Sequence, residues 1–155
     1  MNEPKSSKAT LRCEKILQAA LELFAKNGYE KTSLNDIVWL SGGSLSTIYK
    51  YFGDKQTLLY TILETEIQNF NERVKSEFEI NENLAIKEFL LKFGEMFLNT
   101  VFDEKSYILI KIAFNESCKN GEKIANFFKD HDLRKLDKFL ADFFASHSDE
   151  INGQN

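Results

Sequence analysis

Residues 16–59 read ILQAALELFAKNGYEKTSLNDIVWLSGGSLSTIYKYFGDKQTLL, and the punctuation of this stretch decides the fold. Ile16, Leu17, Ala20, Leu21, Leu23 and Phe24 recur at three- and four-residue spacings, which places one apolar stripe on a helix from about Thr10 to Lys26. Asn27-Gly28 supplies a left-handed C-terminal cap. Ser33-Leu34-Asn35-Asp36 fits a capping box, so a second, short helix opens after Ser33 and ends near Leu40. Two adjacent glycines, Gly42 and Gly43, each cost about 1 kcal/mol inside a helix but adopt positive φ freely, so Ser41-Gly42-Gly43 is a turn. Ser44 then caps a third short helix through Tyr51. Phe52-Gly53 breaks it, and Asp54 caps a fourth helix that runs to about Phe78.

Outward from this stretch the same period continues. Pro4 is the single proline, the glycines are sparse, and no segment of useful length alternates with period two. The expected class is therefore all-α: a three-helix helix-turn-helix head followed by a helical body, with the boundary between residues 1–53 and 54–155. Leu59, Ile62, Leu63, Ile67, Phe70 and Val74 share one face of the fourth helix, which is long enough to leave the head and enter the body. Further helices are expected at about 82–102, 105–118 and 121–146, the last with a break near His131.

Composition bounds the function. The chain has 155 residues, 43% apolar and 28% charged, which suits a folded domain rather than a disordered segment. Its net charge of −4 conceals a segregated distribution. Residues 1–60 hold eight Lys/Arg against six Asp/Glu, and the remainder twelve against eighteen, so a mildly basic head precedes an acidic body. Cys13 and Cys118 form neither a disulfide framework nor a zinc spacing, and no metal or cofactor is expected. The polar N-terminus lacks the apolar region of a signal peptide, and no apolar run reaches membrane-spanning length. The expected location is the cytoplasm. An enzyme is disfavoured, because His131 and His147 lack a partnered nucleophile and no phosphate-binding glycine loop occurs.

Three helices with a short, glycine-linked second and third match the geometry in which one helix is offered to the major groove while another braces it on the backbone. Taken alone, the pattern also fits an ordinary αα-hairpin. The order and spacing of Phe24, Gly28-Tyr29, Thr32-Ser33, Asp36-Ile37, Gly42, Ser44, Thr47-Ile48-Tyr49, Tyr51-Phe52, Lys55 and Leu58-Leu59, however, resemble the N-terminal domain of the TetR family of transcription regulators. The resemblance implies a sequence-specific DNA-binding protein, a ligand-responsive repressor of an efflux or metabolic gene, with a palindromic double-stranded operator and a small hydrophobic effector. It places Ser44, Leu45, Ser46, Thr47, Tyr49, Lys50 and Tyr51 on the recognition helix, where hydroxyls and tyrosines meet base edges, thymine methyls and phosphates. Lys55 and the start of the fourth helix would face phosphate, and Ser33 and Asn35 the neighbouring phosphates. Capping and surface solvation are the structural roles open to the same side chains. Ile37, Ile48 and Phe52 are expected to hold the head together.

Some positions depart from the family pattern. Gly43-Ser44-Leu45-Ser46 replaces an aliphatic residue followed by Ser-Lys-Gly, so a phosphate-contacting lysine is absent, and the third helix is expected to order fully only on DNA. Trp39 stands where small or polar residues are frequent and is expected to pack in a core against the body or the fourth helix, contact with ligand being the alternative. Twelve of the fourteen phenylalanines follow residue 60. Most serve a core, and the family's effector pocket would draw on Phe93, Met96 and Phe97, with Phe114 opposite. The polar tail Ser148–Asn155 leaves nothing for the last two helices that build the family's dimer interface, so the chain is expected to be truncated relative to the family. A homodimer would then use other surface, such as the helix carrying Phe139, Phe143 and Phe144. The alternative is a helical interaction protein that heterodimerises with a full-length regulator.

Overall fold

The computed structural model describes residues 8–79, 84–130, 135–151 and 153. Among them the secondary structure is helical throughout: α1 (Lys8–Asn27), α2 (Leu34–Ser41), α3 (Leu45–Tyr51), α4 (Lys55–Glu79), α5 (Ile86–Val101), α6 (Glu104–Asp130), α7 (Lys135–Ser146) and α8 (Ser148–Ile151). The local signals act as expected. Gly28 closes α1 at φ +85, its N–H donating to the Phe24 carbonyl at 3.0 Å. Ser33 caps α2 in a complete capping box with Asp36. Of the two turn glycines only Gly42 takes a left-handed conformation, at φ +67. Gly43 is not left-handed, and a Cβ there would lie 3.2 Å from the Ser41 Oγ and in ordinary contact with Ile16 at 3.6 Å.

The head is held by α1 lying across α2 and against α4 and α6. Ile16, Ala20 and Phe24 from α1, Ile37 from α2, Ile48 from α3 and Leu58 and Leu59 from α4 are fully buried together. Each of the isoleucine, leucine and phenylalanine side chains contributes about 1.5–3 kcal/mol on burial. The same cluster continues into the body through Leu109, Ile112 and Ile124 of α6. No apolar gap separates head from body there.

A second cluster closes the far end. Val74 and Phe78 of α4, Leu84, and Phe89 of α5 are buried against Phe93, Phe139, Phe143 and Phe144. Phe89 is wholly enclosed, with the Phe143 ring stacked at 3.8 Å and the Phe93 ring at 5.8 Å. His147 stacks in turn on Phe143 at 4.3 Å. Phe143 and Phe144 are thus half-buried core residues and do not form the exposed pairing surface expected for them. Their apolar face is already taken by α5.

The expected division between helices at 118 and 121 survives only as a kink. Helix α6 runs on through Asn120, where φ −134 and ψ 42 leave helical geometry immediately before Gly121. The expected break near His131 lies outside the described residues.

Candidate nucleic-acid interface

Helix α3 has one buried and one open face. Ile48 is fully buried, and Thr47 is 8% exposed. Phe52, which follows, is buried too, and its N–H donates to the Ile48 carbonyl at 2.8 Å. Three- and four-residue spacing sends Ser46, Tyr49 and Lys50 the other way, and all three are exposed. Tyr49 is 58% and Tyr51 45% exposed, and the Lys50 Nζ lies 5.2 Å from the Tyr51 ring centroid. Leu45 is half-buried at the helix start.

The turn before α3 is a hydroxyl cluster. The Ser44 Oγ accepts from the Thr47 N–H at 3.2 Å and lies 2.9 Å from the Thr47 Oγ1 and 2.8 Å from the Ser46 Oγ. This corrects the reading of Thr47 as a DNA-contacting residue: its hydroxyl is turned inward to the cap. The cap and the buried Ile48 anchor α3 in the head, without the apolar turn residue that Gly43 replaces. Ser44 and Ser46 remain exposed.

Ser33 and Asn35, at the start of α2, are exposed as well. The Asp36 carboxylate accepts from the Ser33 N–H at 2.8 Å and the Ser33 hydroxyl at 2.6 Å, while the Ser33 Oγ accepts from the Asp36 N–H at 3.2 Å. The Ser33 hydroxyl, then its backbone N–H, hold the Asp36 carboxyl below the usual carboxylate range.

Lys55 is the second correction. Its ammonium does not face outward for phosphate. It folds over the connection between α1 and α2, donating to the carbonyls of Tyr29 at 3.0 Å, Thr32 at 3.1 Å and Glu30 at 3.4 Å, and it sits 4.5 Å from the Tyr29 ring centroid. The physical cause is the exposed end of that connection, whose carbonyls lack helical partners and attract the nearest cation. Thr32, 1% exposed, ties the same connection from the other side, its hydroxyl donating to the Gly28 carbonyl at 2.9 Å and the Leu23 carbonyl at 3.2 Å. Thr32 was not assigned a role from sequence. Its place between a glycine cap and a capping box was the available signal. Helix α6 reaches this connection too, through an ion pair between Lys119 and Glu30. Burial first, then the charge of Glu116, raises the Tyr29 hydroxyl well above its ordinary value.

Trp39, expected in a core, is 85% exposed. Leu34, Ile37, Val38 and Ser41 form the inward face of α2, which leaves position 39 on the opposite side.

In the body an apolar cavity of about 410 Å³ lies among α4, α5, α6 and the start of α7, lined by Leu63, Ile67, Phe70, Phe97, Leu109 and Ala113, among others. Of the expected effector residues Phe97 lines it. Phe93 belongs to the aromatic cluster, and Met96 lines an adjoining polar groove with Arg73 and Glu95, which shares Glu66 and Thr100 with the apolar cavity. Phe114 is 69% exposed, because the inward face of α6 is set by Leu109 and Ile112. No group of acidic, histidine and cysteine side chains suited to a metal occurs among the described residues.

A trihelical head in which a capped, glycine-linked helix shows hydroxyl, tyrosine and lysine side chains to solvent defines the helix-turn-helix class of DNA-binding proteins. The family model for bacterial regulatory proteins of the tetR family matches residues 16–61. The chain is 42% identical over 64 residues to the HTH-type transcriptional regulator QacR of Staphylococcus aureus (strain Mu50 / ATCC 700699), covering 41% of this chain and 34% of that one. It is 30% identical over 129 residues to the fatty acid metabolism regulator protein of Bacillus subtilis (strain 168), covering 82% and 65%. A crystal structure of a TetR-family regulator from Mesorhizobium loti MAFF303099 superposes with a TM-score of 0.76 at 21% identity, over 96% of this chain and 72% of that one, and so shares the fold. The N-terminal domain of the chain, residues 16–61, belongs to the tetR family of bacterial regulatory proteins. The chain spans between about a third and two-thirds of the first curated relatives it matches.

Proposed function

We propose that this chain is a ligand-responsive repressor that binds a palindromic operator as a dimer in the cytoplasm. The carrying observation is the open face of α3, where Ser46, Tyr49 and Lys50 point away from a core anchored by Ile48. Ser33, Asn35, Ser44 and Tyr51 flank that face. The excess of cations in residues 1–60 favours approach to phosphate by this end of the chain. Residues 1–53 act as the reading head and 54–155 as the regulatory body.

The body supplies the response. Helix α4 starts beside the head and lines the apolar cavity with Leu63, Ile67 and Phe70. A hydrophobic effector in that cavity acts by favouring a tilt of α4 that moves paired heads out of register with major grooves about 34–36 Å apart. The chemical class is that of an apolar, aromatic-compatible molecule, in keeping with one relative's name as a fatty acid metabolism regulator. Pairing uses the stripe of Tyr107, Ile110 and Phe114 on α6, three apolar side chains on one helix face, each about half exposed or more.

The test is a salt-titrated binding assay of the full chain against the DNA upstream of its own gene and against an unrelated duplex. Preference for the former that disappears in Tyr49→Ala supports the reading. Equal affinity of the unsubstituted chain for both duplexes contradicts it.

A further inference from the structure

Trp39 is the only tryptophan of the chain, and at 85% exposure it is the most open of the large apolar side chains described. Tryptophan combines a large apolar face with a single N–H donor, so it is rarely left fully in water and is enriched where a partner covers it. No packing role in the free chain accounts for it here.

Its position narrows the partner. Helical spacing puts Asn35 and Trp39 one turn apart on the open side of α2, which ends at Ser41 and leads through Gly42 into the turn that delivers α3. Ser44 and Ser46 lie directly beyond that turn. In a helix-turn-helix pair the first helix crosses the sugar-phosphate backbone while the second enters the groove from its N-terminal end. On that docking geometry the open side of α2, with Asn35 and Trp39, lies toward the backbone that flanks the groove entered by α3.

We propose that Trp39 is a DNA-contacting residue, its ring laid on a deoxyribose at the groove edge and its indole N–H donating to the adjoining phosphate. The assignment rests on the DNA-binding reading above and extends it to a side chain outside the recognition helix. It also addresses the missing basic residue before Thr47. A neutral contact from α2 takes over part of the positioning without adding charge.

Two properties make this testable. Trp39 is its own reporter, because no other indole contributes to emission. An uncharged contact leaves the counterion count untouched, so its loss lowers affinity at every salt concentration without changing the slope of log K against log salt. With the full chain and a duplex from upstream of its own gene, DNA is expected to shift or quench the tryptophan emission saturably. Trp39→Ala is expected to weaken binding about tenfold at constant slope, and Trp39→Phe, which keeps the ring, by less. Lys50→Ala serves as the contrasting control, with a slope reduced by about one. The exposed position makes either substitution at Trp39 neutral for folding, which circular dichroism checks.

Unchanged emission and unchanged Trp39→Ala affinity, in a chain that binds the duplex, overturn the assignment while leaving the DNA-binding reading intact. Emission that responds to chain concentration and not to DNA overturns it in favour of a protein contact. Failure of the unsubstituted chain to bind any duplex removes both.

Discussion

Replacing Lys55 with alanine separates a structural lysine from a phosphate-binding one. In the structure its ammonium donates to two carbonyls at ordinary distance, Tyr29 at 3.0 Å and Thr32 at 3.1 Å, and to a third, Glu30, at 3.4 Å. Hydrogen bonds from charged donors contribute roughly 1.5–3 kcal/mol each, and the ring contact with Tyr29 about 0.5–1 kcal/mol. The site is half-buried, so water recovers part of the loss once the side chain is gone. The net expectation is about 2 kcal/mol of lost head stability, since the third contact is long. Urea denaturation followed by circular dichroism reads this as a lower midpoint at unchanged slope. At temperatures where the variant remains folded, its DNA affinity should show the same salt dependence as the unsubstituted chain. An unchanged midpoint combined with a salt slope reduced by about one would refute the reasoning and return Lys55 to the phosphate backbone.

Other consequences follow from the same geometry. Gly42→Ala should destabilise by about 1 kcal/mol, because φ is +67 there, whereas Gly43→Ala should be neutral or stabilising by about 0.5 kcal/mol, the Ser41 hydroxyl moving aside; paired thermal melts compare the two. Phe89→Ala opens the centre of the distal aromatic cluster and should cost about 3–5 kcal/mol, read as loss of cooperative unfolding of the body by calorimetry. The Asp36 carboxyl is depressed in the folded chain, so its contribution is complete above the ordinary carboxylate value of about 4 and is lost as the pH falls through the lower folded-state value. Acid titration of stability should accordingly be shallower in Asp36→Asn than in the unsubstituted chain.

What could be read from sequence was governed by short-range chemistry. Gly28, the Ser33–Asp36 box, Ser44 and Asp54 act within three or four residues of themselves, and the helices they begin or end follow the expected course. The inward positions Ile16, Phe24, Ile37 and Ile48 were legible for the same reason, as periodicity alone selects one face. Side chains whose orientation depends on a distant segment were not legible. Lys55 is drawn inward by carbonyls more than twenty residues away, Phe143 is covered by Phe89, and Phe114 faces out because Leu109 and Ile112 determine which side of α6 meets the core. Trp39 is a related case: a place in a core depends on packing against distant helices, while its register on α2, set by Ile37 and Val38, puts it in solvent.

The central claim is that the outward face of α3 meets the duplex. Backbone amide shifts of the full chain, recorded with increasing amounts of DNA from upstream of its own gene, test it residue by residue. The account predicts the largest changes at Ser46, Tyr49 and Lys50, smaller ones at Ser33 and Asn35, and none in the cluster around Phe89. Changes confined to the body, with the amides of α3 unmoved at saturation, would contradict it.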